Sequence, residues 1–447
     1  MQEIDLIITG SKALLLDTAN TCLDNAAVAI DAGVIVAVGQ ADKITGQYMA
    51  RKTLKAKDSL IMPGFVNCHT HAAMTCFRGI ADDLELMDWL NNYIFPAEAK
   101  NVNKELAYWG SLLAAAEMIK SGTTTFCDMY IFEDETARAA KAAGIRCLIG
   151  EVLFDFPSPN FKTTAEGIAY TKMLIEKWKT DPLVSIIIEP HALYTCSTPL
   201  LTEVKELADA KRLAEDYHLP IGLHLLENAA EKKQLEEKFG KSAVSFLKDI
   251  GYLDEHLIAF HCVSFTQEDI DLFATHGCKI SHNPASNMKL ASGVAPVPEM
   301  LAAGITVGLG TDGCASNNNL DMIKEMSTTA KLHKVARLDP TVMDAQTVVR
   351  MATIEGAKAL GMEKKIGSLE VGKKADIIII GLNKPHLTPI YSEYSHLVYA
   401  MSGADVDTVL INGKIVMENR QLLTINEEEV MQKVREIAVN IKQSLRK

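Results

Sequence analysis

The sequence predicts an α/β protein, a (β/α)8 TIM-type barrel with a small β-sandwich formed by both chain termini. Three observations predict it. Eight short apolar, β-rich runs recur along the middle of the chain, at 60–66, 123–128, 145–153, 184–189, 219–225, 257–261, 278–282 and 305–310. Between them lie amphipathic segments such as 106–119, 200–217 and 269–276, whose apolar residues return at three and four positions, as one helix face requires. The two ends of the chain carry strand-and-turn signals without helices.

Continuously apolar strands alternating with helices mean a parallel sheet covered by helices, and eight such units close a barrel. Near the N-terminus the runs 5–9, 26–31 and 34–38, and near the C-terminus 375–381, 408–412 and 414–417, are short and separated by turns. The simplest arrangement pairs them, so that 1–60 and 365–422 form one composite β-sandwich domain. Residues 61–364 are then the barrel, and 423–447 a closing helix centred on 427–442.

Length and composition agree with this reading. A chain of 447 residues would suggest three domains at about 150 residues each, but barrels run larger as single units. With 48% hydrophobic and 23% charged residues, the chain is no disordered, collagen-like or disulfide-stapled protein. A formal net charge of -12 argues against a general nucleic-acid binder and against a membrane surface. No apolar run approaches the roughly 18 residues needed to span a bilayer, and the opening MQEIDLIITGSK has acids where a signal peptide needs basic residues. A cytoplasmic location is expected. The nine cysteines are scattered and contain no C-x-x-C pair, so reduced, mostly buried thiols are expected and any metal must be held by His and carboxylate.

Catalytic groups in such barrels stand at the C-terminal ends of the strands. His69 and His71 follow the first strand two residues apart, so extended backbone can point both the same way. His224 ends the fifth strand, with Glu227 three residues beyond; His261 ends the sixth, and Asp312 follows the eighth. Singly, each has an ordinary structural reading: a satisfied strand-end histidine, an Asp turn before a helix, a solvent-facing carboxylate at a helix start. Together they converge on one pocket. Histidines with an aspartate make a nitrogen–oxygen site for a divalent metal, with Zn the default and Fe or Mn suited to the same donors.

The set His69-x-His71, His224-x-x-Glu227, His261 and Asp312 resembles the amidohydrolase superfamily. The surrounding PGFVNCHTH, SHNPASNMKL, GLGTDG and GSLEVGKKADIIII resemble its adenosine-type deaminase and chlorohydrolase branch, and within it the 5′-methylthioadenosine/S-adenosylhomocysteine deaminases. The likeness runs from about residue 3 to about 420. It implies metal-dependent hydrolytic deamination of 5′-modified adenosines to inosine analogues plus ammonia. Two-metal members bridge their ions with a carboxylated lysine at the end of strand four. Here that strand reads Ile186-Ile187-Ile188-Glu189-Pro190-His191, without lysine, so one metal per subunit is expected, on His69, His71, His224 and Asp312.

By the same resemblance, His261 and Asp312 orient and deprotonate a water that attacks the amidine carbon. Glu227 is the acid that protonates the neighbouring ring nitrogen, a step favoured by a dry pocket that raises its pKa. Trp89 and Glu98, in 82–98, are expected to line the nucleoside site, Trp89 packing on the substrate and Glu98 accepting from the two ribose hydroxyls; the alternative for Trp89 is a core position on a short helix. His191 is expected near the sugar and purine.

The loop after strand three, Phe154-Asp155-Phe156-Pro157-Ser158-Pro159-Asn160-Phe161-Lys162, has no arginine for the amino-acid tail of S-adenosylhomocysteine. A methylthio or 5′-deoxy group suits it better, with Lys162 or a group from a neighbouring subunit as the alternative partner for a carboxylate. Asn283 and Asn287 are expected to satisfy backbone groups in a turn on the pocket floor. The alternatives are another branch member (guanine or pterin deaminase, triazine chlorohydrolase) and, from a different class, a non-catalytic scaffold. The substrate partner is a small purine nucleoside, and a homo-oligomer, dimer or tetramer, is expected by analogy.

Overall fold

The computed structural model describes residues 1–215 and 219–445, with the side chains of 211–215 left aside. Eight parallel strands form the barrel: Phe65–Thr70, Thr123–Tyr130, Arg146–Leu153, Val184–Ile186, Ile221–Leu225, Leu257–His261, Lys279–His282 and Thr306–Leu309. They pair as two arcs of four. Bridges Ile188↔Ile221 and Ala192↔His224 join the arcs on one side. On the other, the Asp312 amide donates to the His69 carbonyl at 2.9 Å.

The fourth strand is interrupted, resuming as Glu189–Pro190 beside the third. Glu189 turns into the barrel, where a Cβ on Gly150 or Gly222 would stand 2.7 and 2.8 Å from its carboxylate oxygens. Glycine at those two positions is what lets the carboxyl fit.

Helices cover the barrel as the periodicity predicts. The segment at 106–119 is the helix Lys104–Lys120, started by Asn103, whose side chain accepts from Leu106 N. The segment at 269–276 is Gln267–His276, opened by a capping box of Thr266 and Asp269. That at 200–217 is Thr198–Glu215; residues 216 and 217 lie outside the described residues.

Strands from both chain ends form one eight-stranded sheet in the order Gln421–Leu422, Lys414–Glu418, Val406–Ile411, Ile377–Gly381, Tyr48–Pro63, Gln2–Leu14, Cys22–Asp31, Val34–Gln40. It curls until Val34 bridges to Lys374, enclosing a core that includes Ile8, Val28, Ile35, Ile377 and Leu410. Its link to the barrel is ionic as well as apolar. Arg146 meets Asp376 through two hydrogen bonds of 2.8 and 3.1 Å, both side chains buried. Paired charges in that setting resist separation, because either alone would be buried without compensation.

The helix Glu427–Ser444 buries Val430, Val434 and Ile441 and packs on Lys104–Lys120. All nine cysteines are free thiols, and only Cys22 is exposed. Among the described residues no helix is long and apolar enough to cross a membrane.

Candidate active site

The C-terminal ends of the barrel strands bring His69, His71, His224, His261 and Asp312 together. The ring of His69 stacks on Phe260 at 4.0 Å, with the centroids of His71 and His224 at 4.8 and 4.9 Å. Donor atoms of His69, His71 and Asp312 lie within 4.8 Å of one another, and so do those of His69, His224 and His261.

Hydrogen bonds fix which nitrogen each imidazole offers. His71 Nδ1 faces the Met129 carbonyl and His224 Nδ1 the His191 carbonyl, at 2.5 and 2.9 Å. A carbonyl can only accept, so both Nδ1 atoms carry hydrogen and both Nε2 atoms are free to ligate. His69 is fully buried, yet neither of its nitrogens has a hydrogen-bond partner. An unpartnered lone pair and an unpartnered N–H in a buried ring are costly in a native fold, and a bound cation would take up the lone pair. The donor set suits a single divalent metal ion.

Asp312 is held in place by its neighbours. Ser286 and Ser316 hydroxyls donate to its Oδ2 at 2.6 and 2.8 Å, and Gly313 N to its Oδ1 at 2.8 Å. Its backbone is left-handed, φ 61°, a conformation that a non-glycine residue keeps only where surrounding contacts impose it. Oδ1 stands 3.1 Å from His71 Nε2 and 3.4 Å from His69 Nε2.

These residues open into a cleft of about 610 Å³, its mouth included, that Trp89, Glu98, His191 and Glu227 also line. Every site residue expected from the sequence therefore borders the same cavity or belongs to the histidine–aspartate cluster. Burial raises the Glu227 carboxyl above its ordinary range, with His261 opposing and Asp312 adding to the rise. Burial likewise pushes Glu98 up to about 7, against the hydrogen bond it accepts from Tyr130. Trp89 begins a π-helical turn, Trp89–Ile94, and its buried indole N–H has no acceptor. His191 is held neutral, lowered to about 3 chiefly by burial. The Thr195 hydroxyl donates to Ala192 O at 3.1 Å, so it accepts from His191 Nδ1 at 2.9 Å, which leaves Nε2 as an acceptor.

A profile of the amidohydrolase family matches residues 60–416. The chain belongs to that family. It is 62% identical over 446 residues, covering 100% of this chain and 99% of the relative, to the 5-methylthioadenosine/S-adenosylhomocysteine deaminase 1 of Syntrophus aciditrophicus. Against the 5'-deoxyadenosine deaminase of Methanosarcina acetivorans it is 45% identical, covering 97% and 98% of the two chains. The crystal structure of an adenosine deaminase from Xanthomonas campestris with bound zinc superposes with a TM-score of 0.96, at 37% identity, over 99% of each chain. This amidohydrolase is a hydrolase acting on C–N bonds.

Parts of the amidohydrolase site go beyond, or differ from, what its sequence indicates. Tyr130, the last residue of the second strand, donates its hydroxyl to Glu98 Oε1 at 2.7 Å. Phe154, Phe156 and Phe95 form an aromatic cluster beside His191. Asn287 differs from expectation: its side chain meets no backbone group but places Oδ1 2.8 Å from His261 Nδ1. Asn283 Oδ1 accepts from the Ser281 hydroxyl at 3.1 Å. In place of the expected turn, Pro284–Lys289 form a short helix that carries Asn287, with Asn283 at its N-cap.

Proposed function

We propose that this enzyme deaminates 5′-modified adenosines by hydrolysis, releasing ammonia and the inosine analogue. The observation that carries the reading is Glu227, a carboxyl raised by burial in the same cavity as the histidine–aspartate cluster. An acid at that place is required to remove an amine from a ring whose nitrogen must first accept a proton. The names of the relatives, a methylthioadenosine/S-adenosylhomocysteine deaminase and a 5'-deoxyadenosine deaminase, support the substrate class.

A divalent cation on His69, His71, His224 and Asp312, with zinc favoured by three imidazoles and one carboxylate, supplies Lewis acidity that lowers the pKa of water by several units. The chain's own groups handle the protons. His261, with Nδ1 turned to Asn287, presents Nε2 to the cavity and orients the attacking water, and Asp312 takes up its proton. Glu227 gives a proton to N1 of the purine as C6 becomes tetrahedral. Asp312 then returns its proton to the 6-amino group, which departs as ammonia, while the C6 hydroxyl gives up its proton to Glu227 and becomes the carbonyl of the inosine ring.

Binding falls to the other lining residues. Trp89 packs on the nucleoside, with its unpartnered indole N–H as a donor. Glu98 accepts from the ribose hydroxyls, and His191 Nε2 accepts from the sugar or base. No lysine or arginine lines the described cavity, whereas Phe95 and Phe154 do. An apolar 5′ substituent, methylthio or hydrogen, is therefore preferred to the zwitterionic tail of S-adenosylhomocysteine. The enzyme is read as cytoplasmic and as a dimer or tetramer.

Ammonia release from a panel tests this: 5′-methylthioadenosine, 5′-deoxyadenosine, adenosine, S-adenosylhomocysteine, guanine, a pterin and a chlorotriazine. The highest kcat/KM is expected for 5′-methylthioadenosine or 5′-deoxyadenosine. A higher value for guanine, the pterin or the triazine overturns the substrate class, and a higher value for S-adenosylhomocysteine overturns the preference.

A further inference from the structure

Beyond the cavity, the turn that carries Glu227 is built around a second buried glutamate. Strand five ends at Leu225, and the chain must reverse direction within three residues to enter the helix Ala229–Phe239. Leu226 makes that reversal in the left-handed region, φ 52°, with its side chain buried. A branched residue adopts this conformation only where its surroundings impose it.

Glu231, in the first turn of that helix, imposes it. Its carboxylate does not face solvent as first-turn acids usually do; it is 3% exposed and bends back beneath the turn. Oε1 accepts from Leu226 N at 3.0 Å, and Oε2 from Glu227 N at 2.7 Å. The two backbone donors around the strained residue are thus gripped by one side chain. The helix is registered from the other direction, since Asn228 Oδ1 accepts from Glu231 N at 2.8 Å.

The same turn is tied to the next strand end. Cys262 N donates to Leu225 O at 3.1 Å and Ser264 N to Leu226 O at 3.0 Å, while His261 and Cys262 are themselves left-handed, φ 70° and 51°. Glu227 Oε1 lies 3.9 Å from His261 Nδ1. The direction of the Glu227 side chain is therefore set by a backbone whose amides answer to Glu231.

We infer that Glu231 is a positioning residue, whose carboxylate locks the Leu226–Glu227 turn so that Glu227 is aimed at the substrate ring. The inference rests on the acid role proposed for Glu227. Glu231 touches neither substrate nor metal; it acts through the two amides. Glutamine at this position keeps one acceptor but sets an NH2 group against an N–H donor, so the grip on one amide becomes repulsive.

The experiment compares holoenzymes of wild type, Glu231→Gln, Glu227→Gln and the double variant with 5′-methylthioadenosine as substrate, measuring kcat, KM, metal content and Tm. For Glu231→Gln, kcat is expected to fall about 10- to 100-fold, with KM within about 3-fold and metal content unchanged, as for outer groups that orient a reacting residue. In the Glu227→Gln background the same change is expected to cost less than about 2-fold, because there is no longer an acid to aim. A purely structural role would instead lower kcat equally in both backgrounds, and that result overturns the inference. So does a silent Glu231→Gln beside an impaired Glu227→Gln, or loss of metal from Glu231→Gln. If Glu227→Gln keeps wild-type kcat, the acid role itself fails and the inference with it. Should Glu231→Gln not yield folded protein, Glu231→Asp, a carboxylate one methylene shorter, carries the same comparison.

Discussion

His261 Nδ1 lies 2.8 Å from Asn287 Oδ1, closer than the 3.9 Å that separates it from Glu227 Oε1. The amide oxygen can only accept, so Asn287 keeps the hydrogen on Nδ1 and leaves the Nε2 lone pair for the water-orienting role proposed for His261. Asn287→Ala removes the acceptor and frees the ring to change tautomer. The expected result is a fall in kcat of about 10- to 100-fold with metal content unchanged, the range typical of groups that orient a reacting side chain. An unchanged kcat would show that the tautomer is set elsewhere.

The Tyr130–Glu98 pair gives a pH dependence. In the ribose-binding role proposed for it, Glu98, pushed up to about 7 by burial, must be a carboxylate to accept both hydroxyls. Above pH 7 it is ionised and binds; as pH falls through about 7 it gains a proton and loses acceptor capacity. KM for a nucleoside should therefore rise on acidification, by about 10-fold per pH unit at the limit of a single titrating group, with kcat less affected. Glu98→Gln should flatten this limb at a uniformly higher KM. Tyr130→Phe removes the hydrogen bond that favours the charged form and should move the limb to higher pH. Steady-state KM between pH 5.5 and 8.5 checks all three, and a KM independent of pH in the wild type removes Glu98 from ribose binding.

Metal removal should cost stability as well as activity. Without an ion the lone pair of the buried His69 ring stays unsatisfied, so a cation at this site would bind the folded chain in preference to the unfolded one. At a free metal concentration of 100 Kd the gain is about 2.7 kcal/mol, enough to raise Tm by a few degrees. Thermal unfolding of chelator-treated protein before and after zinc addition measures it. In His69→Ala both the shift and the activity should be absent. A shift that survives in His69→Ala places the ion elsewhere.

The eight barrel strands and the convergence of the histidines with Asp312 were legible because their signals are local. A histidine pair two apart after one apolar run, and single histidines or an aspartate ending others, need only the rule that strand ends meet. What escaped depends on pairs without any such pattern. Tyr130 and Glu98 are separated by 32 residues, and Asn287 reaches His261 from a short helix that no periodicity marks. The interruption of the fourth strand was hidden for a related reason: Ile186, Ile187 and Ile188 read as one unbroken apolar run. In the terminal sheet, Tyr48–Pro63 pairs with Ile377–Gly381 across more than 300 residues, so composition announces strands there but not their order.

The aromatic wall beside His191 makes the substrate preference adjustable. Phe154 lines the cavity and stacks on Phe156 with ring centroids 4.6 Å apart, while Phe156 itself is 41% exposed at the cleft edge and 6.2 Å from Phe95. The proposed preference requires that a substrate whose ribose lies on Glu98 direct its 5′ group toward this cluster. Methylthio fits an apolar wall, but the carboxylate of S-adenosylhomocysteine meets no cation there. Phe156→Arg supplies one at the rim without removing Phe154. A solvent-accessible arginine–carboxylate contact is worth about 1 kcal/mol, so kcat/KM for S-adenosylhomocysteine relative to 5′-methylthioadenosine should rise about 5-fold. Because the side chain stands at the edge of the cleft, activity on 5′-methylthioadenosine should stay within about 3-fold of wild type, as for surface substitutions away from the chemistry. Competition between the two nucleosides in one reaction measures the ratio directly. A ratio unchanged by Phe156→Arg, with 5′-methylthioadenosine still turned over, would mean that the 5′ group leaves the cleft by another side.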